Sequence, residues 1–331
     1  MAPSGSSRSA VSASRALLAA ALLGAPLAGA AQSWPAKPVR IIVPAQPGGG
    51  LDLVGRTVAD QLGRALNGSF VVENVAGGGG LIATQSTARA APDGYTLMVG
   101  YVGTHGTNPA VRKMPYDAVR DFTPVAMVGG TRNVLVVQPS LPVHDLKSLV
   151  QYGKANAGKM NYASGGIGTL NHLSMEQFRS DAGFDALPAH YRGIGPAIND
   201  FLGGTTMMMM PGVAAALPHI RSGKMRPIAV TGPGRHPLLP DVPTFEESGF
   251  KGYDAMQWYG IVGPARLPQA IVSRLNEAIN AALRDPGLRA RLSAEAIEPM
   301  PMSSVEFGRY IESEIARWRA VARERNLRLD D

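Results

Sequence analysis

The sequence predicts an α/β protein whose strands run parallel and are wrapped by helices. Three observations predict it. Short apolar runs read as buried strands, glycine-rich turns follow them, and the segments beyond carry apolar residues at helical spacing. All three stand in the first unit. An apolar strand over 39–44 breaks into Gln46-Pro47-Gly48-Gly49-Gly50, and a helix opens near Asp52.

That first helix carries Val54, Val58, Leu62 and Leu66 four residues apart, one apolar face, and Asn67-Gly68 ends it with glycine in the usual C-terminal role. A second strand over 70–74 runs into Gly77-Gly78-Gly79-Gly80 and a helix to about residue 91. Pro92-Asp93-Gly94 is a turn before a third strand over 95–100. Apolar runs at 125–128 and 133–137 are strands, 146–156 a helix and 160–163 a strand. Gly165-Gly166-Ile167-Gly168-Thr169 opens a helix through residue 178. A strand at 189–191 precedes a helix over 195–202, a strand at 207–210 precedes a helix over 213–221, and a strand at 227–231 leads into a loop over 232–243. After a strand over 258–263, two long helical patterns, about 269–284 and 304–325, close the chain.

Residues 1–31 read as a secretory signal peptide. Arg8 and Arg15 form a positive start, the apolar run over 16–27 is too short to span a bilayer, and Ala28-Gly29-Ala30-Ala31 offers small residues for cleavage. No cysteine follows, so lipid anchoring is excluded, and no later segment has the length and apolarity of a membrane span. The expected location is the periplasm. About 300 residues then remain, which favours two domains. Without Arg8 and Arg15 the formal charge falls from +7 to +5. This mild basicity can steer anions or simply keep the surface soluble. The basic residues show no run of five, so nucleic acid is not an expected partner. With no cysteine there are no disulfides, and six histidines without ligand spacing argue against a zinc site.

The first glycine turn is the strongest functional signal. Its backbone amides and the helix start behind it suit an anion, a carboxylate as readily as a phosphate, though a tight turn alone would read the same. The pattern is neither a Rossmann fingerprint nor a P-loop, which would need Lys-Ser or Lys-Thr after the last glycine. Asp52 suits the first turn of a helix either as a loop brace or as a ligand contact. Thr104, His105 and Thr107 lie on a strand–helix loop, a common place for binding residues. Ser164, Thr169 and Asn171 form a second polar set, and Gly166 and Gly168 beside them permit close approach. His172, in the first turn of the next helix, reads as structural. No Gly-x-Ser-x-Gly elbow exists and Ser164 has no assignable base, so an enzyme is not expected, and no cofactor is called for.

The chain resembles the Bug family, the extracytoplasmic solute receptors of tripartite tricarboxylate transporters. The resemblance spans nearly the whole mature chain. It rests on the ordered series Pro44 to Asp52, Ala76 to Ala83, Ala91-Pro92-Asp93-Gly94-Tyr95-Thr96-Leu97, Gly103-Thr104-His105 with Asn108-Pro109, and Met114-Pro115-Tyr116-Asp117. Asp121-Phe122-Thr123-Pro124, Leu135-Val136-Val137, Asn161-Tyr162-Ala163-Ser164, Gly168-Thr169-Leu170-Asn171-His172-Leu173, Tyr191-Arg192-Gly193, Leu217-Pro218-His219-Ile220 and Leu239-Pro240-Asp241-Val242-Pro243-Thr244 continue it.

The resemblance implies a two-domain periplasmic binding protein, type II-like, with a cleft between lobes that close by a hinge. Domain 1 is expected over 33–131 plus 254–331 and domain 2 over 132–253. It implies a monomer that captures a small organic acid for transporter membrane subunits, or alternatively presents it to a sensor kinase. Backbone groups at Gln46, Pro47, Gly48, Gly49 and Asp52 would take a carboxylate, with Gly77 to Gly80 behind. The loops over 103–108 and 164–171 would hold the rest of the ligand. The chain departs from the family's Gly-Gly-Gln-Val-Asp-Leu-Met-Phe-Asp-Asn at residues 203–212, where Met207 and Pro211 replace both acids. That departure implies a ligand without a cationic end. Met207 to Met210 read as core filler in preference to an apolar wall for the ligand.

Overall fold

A computed structural model describes residues 34–324. The expected signal peptide lies outside the described residues, as does the last residue expected for the closing helix. Among the described residues no helix is long and apolar enough to cross a membrane.

Two sheets organise the fold. The first holds β1 (Val39–Val43), β2 (Phe70–Asn74), β3 (Thr96–Tyr101), β4 (Phe122–Arg132), β10 (Met256–Pro264) and β11 (Glu298–Pro299), ordered β11-β4-β10-β3-β1-β2. The second holds β5 (Val134–Val137), β6 (Met160–Ser164), β7 (Ala186–His190), β8 (Met208–Met209) and β9 (Arg226–Val230), ordered β7-β6-β8-β5-β9. Each sheet is mixed, which corrects the parallel reading. β1 runs parallel to β2 and β3, and β6 runs parallel to β7 and β8. β10 is antiparallel to β3 and β4, and β5 is antiparallel to β8 and β9. The reason is topological: β4 leaves the first sheet for the second and β10 brings the chain back, so the two must lie in opposite senses.

The expected helices form with shifts of a few residues: α1 (Gly50–Leu66), α2 (Leu81–Ala88), α4 (Leu146–Ala155), α5 (Leu170–Ala182), α6 (Ile194–Leu202), α7 (Val213–Arg221), α8 (Gln269–Arg284) and α10 (Ser304–Glu324). Two more, α3 (Asn108–Val111) and α9 (Pro286–Ala294), were not expected. Asp285 caps α9 by accepting from Leu288 N at 2.8 Å. On α1 it is Asn67, not Gly68, that takes the left-handed position at the C-terminus, its own side chain tolerating that backbone.

Among the described residues three apolar clusters hold the layers. One packs Ile42, Met98, Trp258, Phe307 and Trp318 against the first sheet. The other two cover opposite faces of the second sheet, Met208 and Met210 on one face and Met209 on the other. These three methionines are fully buried, alternating between the faces as a strand requires, and Met207, just before the strand, packs half-buried against the Met208 and Met210 face. At the junction of the sheets, Asn133 N donates to Thr231 Oγ1 at 2.9 Å and Asn133 Nδ2 to Met210 O at 3.0 Å. Next to them Arg132 is ion-paired to Glu298 at 2.7 Å. These polar contacts tie the two crossing segments together.

Candidate functional site

Because β1, β2 and β3 are parallel, the loops at their C-terminal ends share one edge of the first sheet, the usual edge for ligands in α/β folds. The first loop leaves β1 at the buried Pro44 and exposes Gln46, Pro47, Gly48 and Gly49. Gly49 is the N-cap of the seventeen-residue α1 and no side chain caps it, so the first amides of the helix have no intrahelical acceptor.

Asp52, 5% exposed, is fully engaged within the protein. Its Oδ2 accepts from Gly48 N at 3.0 Å and Arg56 Nε at 2.9 Å, and its Oδ1 from Asn74 Nδ2 at 3.0 Å. The Arg56 guanidinium, helped by the Gly48 amide and Asn74, holds the carboxyl below the usual carboxylate range. Asp52 therefore braces the loop, and Gly48 spends its amide on that brace. The amides left for an anion are those after Gly48, backed by the helix dipole.

The second loop packs onto the first and third. Gly80, at φ +94, leaves no room for a side chain: a Cβ would stand 2.9 Å from Thr104 Cγ2 and 3.2 Å from Pro44 Cβ. Tyr101 OH donates to Gly79 O at 2.9 Å. Tyr259 on β10 lies under the first loop, its hydroxyl 3.0 Å from where a Cβ on Gly50 would stand.

The third loop turns the side chains of Thr104, His105 and Thr107 inward. Gly103 to Thr107 winds as one wide π turn, directing its side chains back onto the sheet and α10. Thr104 Oγ1 sits 2.9 Å from His105 Nδ1 and donates to Tyr101 O at 3.2 Å. His105 is 0% exposed, edge-on to Phe122 at 4.6 Å, and burial pushes its pKa down to about 3, so the ring is neutral. Thr107 is buried and donates to Val102 O at 3.4 Å.

On the second sheet, the loop after β6 closes on itself. Ser164 Oγ lies 2.7 Å from His190 Nδ1 and accepts from Gly166 N at 3.3 Å. Asn171 Oδ1 accepts from Gly165 N at 3.0 Å and from Thr169 Oγ1 at 2.7 Å. Gly168 N donates to His172 Nδ1 at 3.2 Å. Burial, with His190 nearby, pushes the His172 pKa down to about 4, which suits an acceptor nitrogen. Ser164, Thr169 and Asn171 thus shape the loop, and α5 starts at Thr169 without a side-chain cap. The two loop edges meet: Arg112 Nη2 donates to Ile167 O at 2.5 Å, and Leu170 and Leu173 of α5 join the first sheet's apolar cluster.

Arg112, Tyr259 and His190 are the neighbours that sequence reasoning missed. None carries a local signal, since each meets its loop only through the fold. Among the described residues no three His, Asp or Glu side chains gather as a metal would need. Two surface grooves, of about 700 and 290 Å³, are lined by residues 109–124, 269–272 and α10; Arg112 borders the larger, and the glycine loops line neither.

Comparisons with known proteins show the family and agree with the fold. The family model for the tripartite tricarboxylate transporter family receptor matches residues 54–327. Protein BugT of Bordetella pertussis is 34% identical over 320 residues, covering 94% of this chain and 96% of that protein. Among solved structures, R. palustris Rpa4515 with adipate superposes with a TM-score of 0.83 at 34% identity, over 88% of this chain and 98% of that one. MatC from Rhodopseudomonas palustris with bound malate gives 0.79 at 32% identity, over 87% and 99%. The periplasmic binding protein BugD gives 0.80 at 32%, over 89% and 99%.

Proposed function

The chain belongs to the tripartite tricarboxylate transporter receptor family, and from that premise we propose that it captures a small organic acid in the periplasm and delivers it to transporter membrane subunits. It acts as a binding protein and performs no chemistry on its ligand. The observation that carries this reading is the uncapped start of α1. The residues from Gln46 to Gly50 around it are exposed, while the Asp52 carboxylate is held by Arg56, Asn74 and Gly48, and the Arg56 charge offsets its repulsion of an anion. The uncapped start of α5 offers a second positive helix end from the other sheet. The two sheets support lobes at about 33–131 plus 254–331 and 132–253, with Asn133 and Thr231 at the crossing.

The ligand has no cationic end. Supporting this, Met207 and Pro211 place no carboxylate along β8: Met207 packs on the core and Pro211 O accepts from Val134 N at 2.9 Å. The binding set is Gln46, Pro47 and the amides from Gly49 to Asp52, with the loop from Ser164 to Asn171 opposite.

Calorimetry on protein unfolded and refolded to strip carried-over ligand tests the reading, with adipate and malate against aspartate and glutamate. Binding of a plain di-acid and none of the amino acids is expected. At 100 times its dissociation constant the di-acid adds about 2.7 kcal/mol to native stability. Equal or tighter binding of aspartate removes the charge argument, and silence toward every acid removes carboxylate capture.

A further inference from the structure

The contact between the loop edges centres on one arginine. Arg112 is the extended residue that ends α3, and its backbone N donates to Asn108 O at 3.0 Å, which keeps it close to Asn108. Arg112 Nη2 donates to Ile167 O, 55 residues away, at 2.5 Å. Gly168, at φ +77, lies directly beneath them. A Cβ there would stand 2.7 Å from Arg112 Nη2 and 2.8 Å from Asn108 Oδ1. Asn108 is 8% exposed, and its Oδ1 and Arg112 Nε are buried without hydrogen-bond partners. A buried donor and acceptor left unpaired are costly, so this packing is not the optimum for either side chain taken alone. From Lys37 onward the chain packs as one compact unit, with Leu170 and Leu173 seated in the first sheet's cluster.

We propose that Arg112 is a positioning residue for binding: a clasp that holds the Ile167–Gly168 turn of the second lobe against the first when the cleft is shut. The inference rests on the two-lobe reading above. The clasp grips a backbone carbonyl, so it works whatever the ligand's tail. It forms only after the loops meet, and it therefore governs escape of the ligand more than its entry. Gly168 is the complementary half, since any side chain there would hold the arginine off.

The test uses two readouts. In ligand-free protein, fluorophores at Val71→Cys and Leu187→Cys report the distance between the lobes. Both positions are exposed, and the chain has no cysteine of its own. Arg112→Ala is expected to lengthen that distance, and Arg112→Lys, which keeps a donor, to restore part of the closure. In stopped flow with adipate and malate, Arg112→Ala is expected to raise the off-rate about tenfold and leave the on-rate within about twofold. An unchanged distance overturns the clasp, as does an equal fall of the ligand-free melting temperature in both variants, which would mark a structural role. If the unsubstituted protein binds neither acid, carboxylate capture fails for these probes while the distance measurement still decides the clasp.

Discussion

Asp52 shows how one side chain decides what a loop offers. Its carboxylate accepts three hydrogen bonds and so leaves the helix start free of a local anion. Asp52→Ala is expected to cost about 1–3 kcal/mol, because Gly48 N, Asn74 Nδ2 and the charged Arg56 Nε lose their shared acceptor in a partly buried setting. Denaturant titration reads it. Its folded pKa is depressed from 3.8, so its contribution is present above that value and is lost as the pH falls below it. Asp52→Asn should therefore flatten the acid limb of stability below about pH 4.

At the scale of the element, α1 trades stability for an open end. Helices α4 and α9 carry side-chain caps, Asp145 accepting from Ser148 N at 2.7 Å at the start of α4 and Asp285 capping α9. By contrast α2, α5, α6, α7 and α8 start uncapped, as α1 does. Gly49 caps nothing, although its backbone is extended (φ −94°) and a Cβ there would meet nothing within 4 Å. Gly49→Asp is therefore expected to stabilise the protein by about 0.5–1 kcal/mol through the missing cap and the stiffer unfolded chain. The same carboxylate would occupy the anion site, so affinity for adipate or malate should fall at least about a hundredfold. A rise in melting temperature with affinity retained would move the anion site away from α1.

Over the whole molecule, two neutral histidines link stability to pH. Burial takes His105 to about 3 and His172 to about 4, against 6.5 in the unfolded chain. The unfolded state takes up protons first, so stability is full above about pH 7 and declines from about 6.5 toward 4, by up to about 1.4 kcal/mol per pH unit for each ring. This window lies above that of Asp52. His105→Leu is expected to flatten the slope there, and urea titrations across pH 4–7 check it.

What the sequence by itself determined is local. Apolar spacing marked β2, α7 and α8 to the residue, and the Gly-rich turn located the uncapped helix start, because strand and helix periodicity and glycine's backbone freedom are written in neighbouring residues. β4 looked shorter than it is, since Thr123, Pro124, Gly129 and Gly130 interrupt its apolar run, and the two-residue β11 has no pattern at all. Only the tertiary structure decided which polar groups stay free. Asn74 and Arg56 claim Asp52, His190 claims Ser164, the π turn buries His105 and Thr107, and Arg112 reaches Ile167. Most buried polar atoms find a partner, and most of these partners lie tens of residues away, so their pairing is settled by packing and not by spacing along the chain.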